Sequence, residues 1–162
     1  MNPPPALISG LVVFAAVGCG LIGGLLFAFS NFVMRALAQQ PAEHGIRTMQ
    51  TINRDILNPL FLFVFMGTAL VSAALAAAAA WGKTALLSTP LLLTACLLCL
   101  AGVFGVTAGL NIPLNNRLAA HDPASAAAAQ FWPLYISEWV KWNHVRTFCS
   151  LAASVFFILA RR

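Results

Sequence analysis

Apolar residues run along this chain in four blocks, divided by two long polar segments and one short turn. Leu7 to Met34 carries no charge, and Leu57 to Trp81 and Leu86 to Leu110 are each about 25 residues, enough at 1.5 Å per residue to cross a hydrocarbon core of roughly 30 Å. The fourth block, Thr147 to Ala160, covers only about 21 Å. It spans only if Trp139 to Arg146 also enters the bilayer, on a helix whose polar side chains face the bundle interior. The pattern predicts an all-α integral membrane four-helix bundle, one domain over residues 1–162, with spans near 7–34, 57–81, 86–110 and 141–160.

The long segments carry patterns of their own. In residues 35–56, Ile46, Met49, Ile52, Asn53 and Ile56 fall at helical spacing behind Pro41, which predicts a short amphipathic interfacial helix. In residues 111–146, Asp122-Pro123 reads as an N-cap and first turn, opening an Ala-rich helix that Pro133 should break or kink. Pro113 disfavours helix at Ile112 and reads as a stop to the third span. A faint repeat links Asn31 to Ala38 with Asn111 to Ala119, and Asn53 enters the second span roughly as Asn143 enters the fourth.

Composition fixes the solvent. The chain of 162 residues is 60% hydrophobic and 8% charged, with a mean hydropathy of +0.86, against about a quarter charged for a soluble domain. A soluble enzyme, a nucleic-acid-binding domain and a disordered tail are excluded, and the net charge of +5 belongs at lipid headgroups. The long segments hold Arg35, Arg47, Arg54, Arg117, Lys141 and Arg146, and the other side holds Lys83, Arg161 and Arg162. The positive-inside rule therefore places the long segments in the cytoplasm of a plasma (inner) membrane. Met1 to Pro5 has no basic n-region, so no cleaved signal is expected.

The richest constellation is Trp139 to Arg146. Helical spacing gathers Trp139, Trp142, Asn143 and Arg146 toward one face, and Glu138 can pair with Lys141. Two aromatic walls, an amide and a guanidinium suit a flat apolar ligand held by stacking and hydrogen bonds. The competing reading is an interfacial aromatic belt of Trp132, Tyr135, Trp139 and Trp142 with Arg146 as a snorkelling anchor. His144 is the candidate general base. Asn31, Asn53, Asn111 and Asn115 are candidate ligand contacts at the same level, although each also reads as a cap or turn residue. Three histidines without paired spacing make no dedicated metal site; a metal or haem would need ligands from different helices. Cys96 and Cys99 have the CxxC spacing of a dithiol redox centre, with Cys19 and Cys149 as further thiols, but no nearby cation activates them. Gly20, Gly23, Gly24, Gly102, Gly105 and Gly109 permit close packing within one bundle or between protomers of a homo-oligomer.

Several strings carry a family resemblance: Phe29-Ser30-Asn31-Phe32-Val33-Met34 with Ala36-Leu37, Met49-Gln50-Thr51-Ile52-Asn53, Asn58-Pro59 with Phe61, Asn111-Ile112-Pro113-Leu114-Asn115, and Trp139 through Thr147. In order and over nearly the whole chain, these resemble the anthrone-oxygenase-like family of small four-helix membrane proteins. The resemblance implies conversion of anthrones to anthraquinones by molecular oxygen without a known cofactor. It also implies a site on the long-segment side at Asn31, Asn53, Asn111, Asn115, Trp139, Asn143, His144 and Arg146. In that scheme His144 takes the proton, Arg146 and Asn143 stabilise the substrate oxygen, and Trp139 with Trp142 form the walls. The expected partners are an apolar, aromatic or quinone-like small molecule and membrane lipids, with no nucleic acid. The alternatives are a non-catalytic binding or accessory protein for a lipid, quinone or partner helix, and a thiol redox protein using Cys96 and Cys99.

Overall fold

The computed structural model describes residues 5–84 and 87–161. The expectations for Met1 to Pro4, for a third span opening at Leu86, and for the charge of Arg162 fall outside them. Five helices follow one another: α1 (Ala6–Ala38), α2 (Ala42–Asp55), α3 (Pro59–Ala80), α4 (Thr89–Ala119) and α5 (Ala126–Leu159). Helices α1, α3 and α4 are long and apolar enough to cross a membrane. Although the longest, α5 is not among them, because Glu138, Lys141, Asn143, His144 and Arg146 crowd its middle. The amphipathic α2 buries Ile46 and Met49 as its spacing predicts.

Local chemistry sets the helix ends. Asn58 caps α3 by accepting from the Phe61 amide at 3.0 Å, with Pro59 in the first turn. Gly82, at φ +67°, closes α3 in the left-handed region that a side chain disfavours. Three expectations are corrected here. The cap of α5 is Ser125, whose Oγ accepts from Ala128 N at 3.2 Å. Asp122 instead shapes the preceding loop, with Oδ1 accepting from Ala124 N at 3.1 Å. Pro133 does not break α5, which runs on for 34 residues; buried Phe131, Trp132 and Tyr135 on both sides of the exposed proline hold the axis despite one missing bond. Nor does Pro113 stop α4. A π-helical turn at Thr107–Asn111 immediately before it widens the backbone where a proline ring would otherwise clash.

Helix α5 lies along α1 for most of its length, and polar groups register the two. Ser150 and Ser154 donate to the carbonyls of Cys19 and Ala16 at 2.8 and 2.7 Å. One core cluster fills the end near Val12, Leu75, Leu92 and Phe157, and a second, aromatic cluster fills the end under α2 around Met34, Met49, Trp132 and Tyr135. Arg161 donates to Ser9 Oγ at 3.0 Å and Ser88 N to Ala160 O at 2.9 Å. The start of α1, the α3–α4 turn and the end of α5 therefore share one end. At the other end Gln50 ties α2 to the Leu118 and His121 carbonyls at 2.9 and 3.0 Å.

Not every glycine step marks a close approach. A Cβ on Gly102 would fall 2.6 Å from Cys149 Cβ, whereas Gly109 has nothing within 4 Å. Gly102→Ala should therefore destabilise the protein by about 1–3 kcal/mol through overpacking, while Gly109→Ala should be neutral or slightly stabilising. Unfolding in detergent followed by circular dichroism distinguishes them, and equal midpoints would contradict the packing described. The outward surface is apolar, with Leu60, Leu70 and Phe148 each more than two-thirds exposed.

Candidate functional site

Under α2, where α1, α3, α4 and α5 converge, a cavity of about 420 Å³ opens between the helices. That size lies within the usual range for small-molecule sites, about 300–1,000 Å³. Leu26 and Phe29 of α1, Ile52 of α2 and Phe61 and Phe65 of α3 supply apolar wall; Asn53, Thr107, Asn115, Trp139 and Arg146 are polar, as are Gln50, Asn116 and the exposed Arg54.

Arg146 is the group that gives the cavity its character. It is 6% exposed, yet neither ion pair among the described residues involves it; these are Arg47–Glu43 and Lys141–Glu138. Glu43 thus pairs with Arg47, and Arg54 donates to Thr51 Oγ1 at 3.3 Å. The Arg146 guanidinium is held by neutral groups. Nη2 donates to Asn143 Oδ1 at 2.6 Å, Nη1 to Thr107 Oγ1 at 3.2 Å, and the plane lies 5.2 Å from the Trp139 ring centroid. Its buried Nε has no hydrogen-bond partner among the described residues. A buried cation without a counter-ion is costly unless something negative joins it.

The supports are over-determined. Asn143 is fully buried, and its Nδ2 donates to the Leu26 carbonyl at 2.7 Å and to Ser30 Oγ at 2.6 Å. These bonds sit beside a π-helical turn at Phe29–Val33. Such turns shift the backbone hydrogen-bond register and occur at functional sites. Asn115 Oδ1 accepts from both Trp139 Nε1 and Tyr135 Oη at 2.9 Å. The indole can only donate, so the amide orientation is set and the remaining capacity of Asn115 is its NH2 donor. Asn111 Nδ2 donates to the Trp139 carbonyl at 3.2 Å.

The cavity thus brings together Asn53, Asn115, Trp139 and Arg146, with Asn143 behind Arg146 and Asn111 behind Trp139. Trp142 does not line it; its ring sits 4.9 Å from Lys141 Nζ. Asn31 is exposed, although it occupies the π turn of α1 as Asn111 occupies the second of the two π segments of α4. His144 is exposed and faces a different groove. At 100° per residue it stands roughly 160° around the helix from Arg146, a separation already readable from the spacing. Thr107 is a positioning residue that sequence reasoning did not single out, and Tyr135, which the sequence offered only as part of an aromatic belt, is another. Thr89 and Thr94 share its apolar span, so nothing in the residue pattern set Thr107 apart. Among the described residues no group of His, Cys, Asp or Glu could hold a metal. Cys96 and Cys99 are buried free thiols, and Cys99 Sγ accepts from Ser72 at 3.3 Å.

These features define a class: an apolar-surfaced helical protein of the membrane type, with a cavity between its helices that presents a buried guanidinium without an ion pair among the described residues. Residues 61–156 match the anthrone oxygenase family, more than half of the chain, and the protein belongs to that family. No curated protein and no solved structure matches it.

Proposed function

We propose that the protein is a four-span membrane oxygenase whose cavity binds a flat, weakly acidic apolar molecule of the anthrone type as its anion. The buried Arg146, which no carboxylate of the described lining neutralises, carries this reading; Arg54, the other cation of the lining, is exposed at its edge to solvent. The exposed Phe148, Leu151, Val155 and Ile158 on the second half of α5 support a fourth crossing, with the long segments on the cytoplasmic side of the plasma membrane.

Loss of the methylene proton of an anthrone leaves a negative charge resting largely on its oxygen. Arg146 stabilises that oxyanion, with Asn115 and Asn53 as neutral partners and Trp139 as a wall. The electron-rich carbon opposite passes an electron to dioxygen. The two radicals join as a peroxide anion, which takes a proton back from water, and loss of water from the resulting hydroperoxide gives the quinone. One oxygen atom ends in the product and the other in water, so the balance closes without a further reductant.

The cavity lining described holds no carboxylate or imidazole, so the proton passes to water at the mouth. That same observation favours a second reading, a binding protein that captures an already ionised quinone-like ligand. Oxygen uptake by the detergent-purified protein with a simple anthrone, corrected for autoxidation, separates the two: uptake above background supports the oxygenase, and tight binding without uptake supports the binder. His144→Gln then separates two proton routes, since retained uptake leaves the proton with water and lost uptake assigns it to the imidazole.

A further inference from the structure

A second groove lies across α5 from the cavity, where α5 packs on the last turns of α1. Met34, Ile136 and Val140 form its apolar floor, and Arg35, Lys141 and His144 stand on its rim. Among the described residues no carboxylate lines it. Lys141 is shared with Glu138 at 3.3 Å, while Arg35 is exposed and takes part in no ion pair among the described residues. Arg35 is also the first charge after the uncharged run from Leu7 to Met34. On the reading that α1 crosses the bilayer, the groove therefore stands where the helix leaves the hydrocarbon, the depth of lipid phosphates.

We propose that this groove seats the headgroup of an anionic phospholipid, with the phosphate between Arg35 and Lys141 and the acyl chains in the surrounding bilayer. Two cations over an apolar floor at headgroup depth match both halves of such a lipid and offer a zwitterionic one less. The site adjoins the cavity through one residue. Ser30, which lines the groove, accepts from Asn143 Nδ2 at 2.6 Å, and Asn143 Oδ1 accepts from Arg146 at 2.6 Å. An occupant of the groove thereby stiffens the support of the cavity guanidinium.

The test uses the full chain in lipid nanodiscs of phosphatidylcholine, with and without a minority of phosphatidylglycerol. Native mass spectrometry then counts the lipids retained on release. Wild type should retain phosphatidylglycerol preferentially. Arg35→Gln should reduce that preference roughly fivefold and the double variant with Lys141→Gln roughly 25-fold, as expected for surface cations acting on anionic lipid. Stable incorporation of each variant into pure phosphatidylcholine discs, which depends on the spans and not on the groove, checks folding and the membrane reading separately. Equal retention of both lipids by wild type, a preference surviving the double variant, or displacement of the lipid by millimolar inorganic phosphate would each overturn the proposal.

Discussion

Asn143→Leu is expected to cost the fold about 3–5 kcal/mol, the range for stripping a buried charge of its partner. The change removes three bonds at once: those to the Leu26 carbonyl, to Ser30 Oγ and from Arg146 Nη2. The larger part of the loss comes from Arg146, which keeps its charge inside the protein with Thr107 as its remaining hydrogen-bond partner. Arg146→Met alone should cost much less, because it removes the desolvated charge along with its bonds. The double variant Asn143→Leu/Arg146→Met should accordingly be more stable than Asn143→Leu by itself. Equilibrium unfolding in detergent, arranged as a double-mutant cycle, measures this. Additive losses would show that Asn143 acts mainly by joining α5 to α1 rather than by holding the guanidinium.

Arg146→Gln is expected to weaken binding of an ionised hydroxyquinone roughly 100-fold or more, on the scale of removing one preorganised donor from an oxyanion site. Binding of an uncharged methoxy analogue of the same shape should change little, since the apolar wall from Phe29, Ile52, Phe61 and Phe65 remains. Arg146→Lys keeps the charge but loses the planar fork that spans Asn143 and Thr107 and lies over Trp139, so it should fall between the two. Quenching of tryptophan fluorescence by each ligand gives the affinities. Equal losses for the charged and uncharged ligands would assign Arg146 a purely structural role.

Helix periodicity and apolar length carried much of the architecture. The uncharged runs predicted α1, α3 and α4, and the spacing of Ile46, Met49 and Ile52 predicted α2. Prolines were the least reliable guides, because their cost is local while the burial that opposes it is tertiary. Pro133 sits in α5 between buried aromatics, and Pro113 follows a π turn that the residue pattern does not announce. In the site, Asn53, Asn115, Trp139 and Arg146 meet at one cavity. His144 and Trp142, close neighbours in sequence, point elsewhere because one helix turns them away.

By itself the sequence determined the solvent, the helices and the end of the molecule at which polar groups collect, since hydropathy and helical period are properties of adjacent residues. Only the tertiary structure decided which of those polar groups share a cavity and that, among the described residues, Arg146 has no carboxylate paired with it. Charge pairing depends on which helix faces which, and the four acidic residues of the chain could have been distributed otherwise without altering a single span.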